Sequence, residues 1–89
     1  MKGFITVIGK DRVGIIAAVS ATLAEQNINI EDISQTILQG TFTMIMAVDL
    51  THASGSFEDT AKILADKGQE LGVEIAIRHK AIFQAMHRI

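Results

Sequence analysis

The sequence predicts an α+β sandwich in which two helices cover one face of a four-stranded antiparallel sheet. Three patterns along the 89 residues support this fold class. Four segments alternate apolar and polar residues with the period of a β-strand, and two segments repeat apolar residues at helical spacing. Glycine or asparagine occupies most of the predicted turns between these strands and helices. The order is strand, helix, strand, strand, helix, strand, which right-handed crossovers fold into a split βαβ sandwich.

The composition limits the classes of function. Apolar residues make up 48% of the chain, and tryptophan, tyrosine, proline and cysteine are absent. Without cysteine there is no disulfide, no thiolate nucleophile and no zinc site of the cysteine type. The net charge of −2 and the scattered basic residues do not form the positive patch of a nucleic-acid-binding protein. No apolar stretch approaches the ~18 residues of a membrane span, so we expect a cytoplasmic protein without a nucleic-acid partner, a membrane partner or a cofactor.

The first strand, residues 4–8, leads into a turn that contains Gly9 and Gly14. Both glycines allow a tight turn and the close approach of another molecule, and Asp11 is the predicted N-cap of a helix over residues 15–26. Backbone N–H groups at the start of a helix lack partners, and the helix dipole adds partial positive charge, so a carboxylate is favoured there. A turn without any ligand is the simpler alternative.

The first helix is amphipathic, with a core stripe of Ile15, Ile16, Val19 and Leu23. Asn27 is suited to the left-handed conformation that ends a helix. Residues 28–38 then alternate with a period of two, but the phase of the alternation shifts part of the way along. This shift predicts a β-bulge near Glu31 and Asp32.

The third strand, residues 41–50, follows a turn at Gln39 and Gly40, so these two strands form a hairpin. One face of the third strand is wholly apolar and is predicted to lie under the helices: Phe42, Met44, Met46, Val48 and Leu50. The other face is only half polar. We therefore expect the open face of the sheet to be partly covered, either by a partner chain or by the chain's own tail.

The second helix is predicted to start at a capping box formed by Ser56 and Asp59 and to end at Gly72. Its apolar stripe consists of Phe57, Ala61, Leu64, Gly68 and Leu71. Residues 73–78 alternate as a fourth strand. The spacing of apolar residues in 80–89 predicts a short C-terminal helix with one apolar side. A helix of this length is too short to be stable alone, so we expect it to dock on another surface.

The same order of elements hosts several functions, so the residues at the sites must discriminate between them. An RNA-binding module would present aromatic side chains on its central strands, whereas the open-face positions there hold Thr6, Thr43, Ile45 and Ala47. A small acylphosphatase-like enzyme would place an arginine in the first loop, where Arg12 stands, but a companion asparagine on the hairpin is missing. A metal chaperone would need a cysteine pair in that loop.

The histidines and serines suggest no further site. His79 and His87 are not at chelating spacing within one element, His52 is predicted on a loop, and no serine has a visible base beside it. We therefore predict no catalytic residue and no metal-binding residue.

The residues from Gly9 to Ile16, followed by those from Leu23 to Ile30 and by Asp32 and Ile33, resemble the first half of an ACT domain. This family is a small ferredoxin-like βαββαβ module that senses amino acids in metabolic enzymes and regulators. Over residues 1–89 the chain resembles stand-alone, single-ACT proteins of bacteria and archaea, and it is similar to the N-terminal half of glycine-cleavage-repressor-type proteins. The resemblance implies a single ACT domain without catalytic activity.

The resemblance also implies where a ligand would bind. A small amino acid would lie where two domains meet, held by the first loop of one domain and by an edge strand of the other. The implied ligand-binding positions are Gly9, Lys10, Asp11, Arg12, Val13, Gly14, Ile15 and Asn29. Asp11 can accept hydrogen bonds from an α-ammonium group, and the amide of Asn29 can both donate and accept.

Two positions depart from the family pattern: Gly9 stands where some ligand-binding members have histidine, and Val13 where proline is frequent. A protein-interaction or assembly module of the same fold, without a ligand, is therefore the alternative. The half-apolar open face, two unpaired strand edges and the amphipathic tail independently predict a homodimer. As a regulatory module, the protein is also expected to contact an unknown protein partner. A monomer whose tail covers its own open face is the other possibility.

Overall fold

The computed structural model describes residues 1–81. Its elements are β1 (Lys2–Lys10), α1 (Ile15–Glu25), β2 (Asn29–Leu38), β3 (Thr41–Asp49), α2 (Phe57–Leu71) and β4 (Val73–His79). The strands form one antiparallel sheet in the order β2-β3-β1-β4. This architecture confirms the predicted ferredoxin-like βαββαβ sandwich. The C-terminal helix predicted for residues 80–89 falls, beyond Ala81, outside the described residues.

The hydrophobic core lies on one side of the sheet, under the two helices. The predicted apolar face of β3 is buried, together with Ile5 and Val7 on β1 and Ile75 and Ile77 on β4. The predicted core stripe of α1 is wrong at one position, because Ile16 is 38% exposed. The helix turns Ile15, Val19, Thr22 and Leu23 inward instead. Neither helix of residues 1–81 has the length and apolarity needed to span a membrane.

The local signals for the turns, for both caps of α2 and for the bulge are confirmed. Asn27 and Gln39 have positive φ angles of 58° and 52°, and Gly72 ends α2 in the left-handed conformation. The pairing of β2 with β3 skips one residue between Ile30 and Asp32, as a β-bulge requires. Ser56 and Asp59 form the predicted capping box at the start of α2.

Val73, the first residue of β4, fills space left by two glycines that have no Cβ. A Cβ on Gly9 would lie 2.7 Å from Val73 Cγ1, and a Cβ on Gly68 would lie 2.6 Å from the Val73 carbonyl oxygen. Real Cβ atoms do not approach other heavy atoms this closely. The close packing of α2 and β1 against β4 therefore depends on glycine at both positions.

One edge strand, β2, is exposed along nearly its whole length. Ile33, Gln35 and Ile37 pair with buried residues of β3 and so belong to the helix-side face. Ile37 is nevertheless 55% exposed, because neither helix covers it. Long, apolar, uncovered edges are templates for pairing with another strand.

Candidate ligand site

The β1–α1 loop runs against the β2–β3 turn. The backbone N–H of Asp11 donates to the Gly40 carbonyl across 2.9 Å. The N-cap of α1 is Gly14, which has φ 94° and makes no side-chain hydrogen bond. The helix begins at Ile15, as predicted, but the prediction of Asp11 as its N-cap is wrong. The backbone N–H of Asp11 is paired with Gly40, and the N-cap lies three residues further along, at Gly14.

The start of α1 is left uncapped, whereas α2 has a complete capping box. The Ala18 N–H donates to the Gly14 carbonyl across 2.9 Å, so the N–H groups of residues 15–17 have no partner within the helix. A Cβ added to Gly14 would meet no heavy atom within 4 Å. Among the described residues 1–81, open space therefore lies beside unpaired donors at the positive end of a helix dipole, where an anion is favoured.

A cleft of about 240 Å³ lies beside this helix start. Asp11, Arg12, Gly14 and Ile15, four of the predicted ligand-binding residues, line it. The remaining lining residues are Ile16 and Ala17 of α1, Gln35 and Ile37 of β2, and Phe42 of β3. Sequence reasoning missed these five because helical or strand periodicity assigns them a face but not a neighbouring loop. The Asp11 carboxylate has no hydrogen bond or ion pair within residues 1–81, so it is available to a ligand.

The other predicted loop residues stand outside the cleft lining. Gly9 and Lys10 are the last residues of β1, and the side chain of Val13 is fully exposed. Arg12, besides bordering the cleft, donates from Nη1 to the Leu71 carbonyl across 2.8 Å. This hydrogen bond satisfies a carbonyl at the C-terminal end of α2 and ties the loop to the second helix.

Asn29 lies at the opposite end of the sheet from the loop. It starts β2 opposite Asp49, whereas Leu38 at the other end of β2 pairs with Thr41, which in turn pairs with Lys10. A strand of this length spans about 30 Å. Asn29 borders a separate groove of about 370 Å³ with Ala24, Asn27, Ile28 and His52. One chain therefore does not bring Asn29 to the predicted loop.

Charged groups surround Asp49 at this end of the sheet. The side chain and backbone N–H of Thr51 donate hydrogen bonds to the Asp49 carboxylate, and Lys2 and the N-terminal ammonium lie nearby. Chiefly because of the Thr51 hydrogen bonds, the pKa of Asp49 is lowered to about 2. The pKa of Lys2 is raised, mainly by its hydrogen bond to Glu31. Within residues 1–81, no cluster of three potential metal ligands is present.

We expect low pH to destabilise the folded state because it protonates Asp49. Its pKa is lower in the folded state than the ordinary 3.8, so its contribution to stability is complete above that pH and is lost as pH falls towards about 2. Urea unfolding at a series of pH values measures the free energy of unfolding. In Thr51→Val this free energy should fall less steeply as the pH is lowered. Thr41→Val, an exposed threonine of β3, is the control and should leave the slope unchanged. Equal slopes for Thr51→Val and the unmodified protein would contradict the assignment.

Comparison with known proteins identifies the family. Residues 4–78 match the sequence profile of the ACT domain. A UPF0237 protein of Clostridium acetobutylicum is 56% identical over 89 residues, which cover 100% of both chains. An ACT domain protein from Streptococcus pneumoniae has a similar structure, with a TM-score of 0.83 and 45% identity over 98% of each chain.

The chain also has a more distant structural similarity to a regulatory protein. The regulatory subunit of aspartate kinase from Thermus thermophilus, in its ligand-free form, is 26% identical, with a TM-score of 0.66. The similarity covers 86% of this chain and 50% of that subunit. With the sandwich fold, the profile match and these relatives in agreement, the chain belongs to the ACT domain family, whose members are regulatory modules.

Proposed function

We propose that residues 1–89 form a single, non-catalytic ACT domain that binds a small amino acid at the interface of a cytoplasmic homodimer and thereby regulates a protein partner. The observation that carries this proposal is the cleft bordered by both the uncapped start of α1 and the Asp11 carboxylate. The aspartate kinase regulatory subunit supports a regulatory role by similarity.

The two ends of an amino acid suit the two kinds of group in this cleft. The N–H groups of residues 15–17 can receive the α-carboxylate, and the helix dipole adds to their attraction. The Asp11 carboxylate can accept hydrogen bonds from the α-ammonium group. A zwitterion therefore meets a complementary charge at each end.

A homodimer can form through the edge of β2. Antiparallel, isologous pairing centred on Gln35 brings Ile33 opposite the partner subunit's Ile37, so the exposed isoleucines of the helix-side face cover one another. On the other face, the same register brings Asp32 opposite the partner subunit's Leu38. In this register every residue of β2 that follows the bulge lies opposite a residue of the partner subunit's β2 strand.

The same pairing brings Asn29 to the loop of the other chain. Because the bulge between Ile30 and Asp32 shifts the pairing by one residue, Asn29 lies opposite the partner subunit's Gly40. Within each chain, the Gly40 carbonyl holds Asp11. The loop of one chain and Asn29 of the other therefore meet at one site, and ligand binding and dimer formation strengthen each other.

We expect Asp11→Ala to abolish amino-acid binding without weakening the fold. Asp11 is exposed, and its carboxylate makes no hydrogen bond within residues 1–81, so the unliganded stability should change by less than about 0.5 kcal/mol. Thermal unfolding with each of the twenty amino acids is the measurement. A ligand at ten times its Kd adds roughly 1.4 kcal/mol, or several degrees in a domain of this size.

Glu74→Ala, which removes an exposed carboxylate of β4, is the matched control and should retain the ligand-induced shift. If Asp11→Ala keeps the full shift, the proposed site is wrong. If no amino acid shifts the unfolding temperature while that temperature still rises with protein concentration, the alternative of an assembly module without a ligand is favoured. The alternative of a small acylphosphatase-like enzyme depends on Arg12 as the anion-binding residue of the first loop. In the structure, Nη1 of Arg12 donates a hydrogen bond to the Leu71 carbonyl.

A further inference from the structure

We infer that residues 82–89 dock on the open face of their own sheet, the face opposite to the two helices. This surface is separate from the proposed ligand site, so the inference goes beyond the proposed function and does not depend on a ligand. It rests on the way in which the chain leaves β4, on the side chains of the open face beside that point, and on the contacts that already occupy the other face.

The chain leaves the sheet as a helix. β4 ends at His79, and Lys80 and Ala81 already have helical geometry. A helix over residues 80–89 has about three turns, and a helix shorter than about 12 residues is not stable in water without packing. Its apolar side consists of Ile82, Phe83, Met86 and Ile89. A helix that begins at this point therefore requires a surface that buries its apolar side.

An apolar groove of the open face lies beside the end of β4. The groove has a volume of about 140 Å³ and is lined by Phe4, Asp32, Ile33, Ser34, Ile45 and Ala47. His79 at the end of β4 pairs with Gly3, which precedes Phe4 on β1. The groove and the start of the tail therefore lie at the same end of the sheet.

The length of the segment matches the width of the sheet. From β4 the open face extends across β1 and β3 to β2, a distance of about 14 Å at the usual spacing of strands. A helix over residues 80–89 is about 15 Å long. It can therefore cross the groove from β4 to the edge at β2, with its apolar side against Ile45 and Ala47.

The other face of the sheet is already occupied at this point. The ring of His79 stacks on the ring of Phe57 in α2, with the ring centroids 4.1 Å apart. Because α2 covers this side of β4, the open face is the surface that a helix starting at Lys80 can reach. Docking within one chain also avoids the loss of translational freedom that binding to a second copy involves.

A single fluorophore in the tail tests the inference. The chain has no tryptophan, so Phe83→Trp reports only on the tail. In the full chain we expect blue-shifted emission and weak quenching by acrylamide, compared with a synthetic peptide of residues 80–89 that carries the same substitution. This protection should persist on dilution to concentrations at which sedimentation shows a monomer, because the docking occurs within one chain.

Two pairs of variants, made in the Phe83→Trp protein, assign the docking surface. Met86→Glu places a charge on the apolar side of the tail and should expose the tryptophan as fully as in the peptide. Gln84→Glu adds the same charge to the opposite side and should leave the tryptophan protected. On the sheet, Ile45→Glu should expose the tryptophan, whereas Ile16→Glu, on the exposed surface of α1, should not. Circular dichroism checks that each variant is folded.

The possible outcomes separate docking from its location. Emission and quenching equal to those of the peptide would overturn the inference, and so would equal protection in Met86→Glu and Gln84→Glu, which leave the sheet unchanged. Protection that is lost in Ile16→Glu but kept in Ile45→Glu would overturn the assignment to the open face. Protection that disappears on dilution would show that a second copy covers the tail. None of these measurements involves an amino acid, so the proposed function is tested separately.

Discussion

Replacing Gly68 by alanine is expected to lower the free energy of unfolding by about 2 kcal/mol or more, although alanine is the better helix former by about 1 kcal/mol. The added Cβ would lie 2.6 Å from the Val73 carbonyl oxygen and 3.2 Å from Ile75 Cγ1. The oxygen belongs to the backbone of a paired strand and cannot move without disturbing the pairing of β4 with β1. Thermal unfolding should therefore shift downwards by about 10 °C.

The control for this prediction is the neighbouring residue of the same helix. Gln69→Ala changes an exposed side chain of α2 and should leave stability within about 0.5 kcal/mol. Both variants increase the helix propensity of α2, so a loss of stability in Gly68→Ala alone is attributed to the contact with Val73. A stabilised Gly68→Ala protein would mean that α2 and β4 are less closely packed than described.

Replacing Ile37 by lysine is expected to weaken the homodimer by at least about 100-fold, which corresponds to about 2.7 kcal/mol. By two-fold symmetry each dimer loses two isoleucine pairs and gains two lysines opposite the partner subunit's Ile33. Ile37 is 55% exposed in the single chain, so the monomer itself should remain folded. Sedimentation equilibrium over a series of protein concentrations measures the dissociation constant, and circular dichroism checks the fold.

Leu38→Lys is the matched variant on the neighbouring residue. Leu38 is 70% exposed and belongs to the open face. In the proposed register, lysine here stands opposite the partner subunit's Asp32, an attractive cross-strand pair, so the dimer should be retained. Loss of the dimer in Leu38→Lys but not in Ile37→Lys would contradict this register and favour an interface on the open face of the sheet. A dimer unaffected by either variant would exclude the β2 edge as the interface.

The elements themselves could be predicted from the sequence because each depends on local chemistry. The capping box needs only Ser56 and Asp59, three residues apart, and the bulge near Glu31 follows from a change of phase within one strand. Positive φ at Asn27 likewise reflects the tolerance of that side chain for the left-handed conformation. In each case the interacting groups are close in sequence, so spacing alone predicts the contact.

The candidate site could be predicted only in part. Asp11 and Gly14 belong to a recognisable loop, and both line the cleft. The cap of α1 could not be predicted, because Asp11 is paired instead with Gly40 in another part of the chain. Gly9 illustrates the same difficulty: its small size, which suggested close approach of a ligand, is required by Val73.

By itself, the sequence determined the order and type of the elements in residues 1–81 and the buried face of β1, β3 and β4, since these follow from the periods of helix and strand. Only the tertiary structure decided that Gln35, Ile37 and Phe42 border the loop and that Asn29 lies at the far end of the sheet. The physical reason is that periodicity assigns a residue to a face, whereas a site depends on distances between residues remote in sequence, which strand order and register determine.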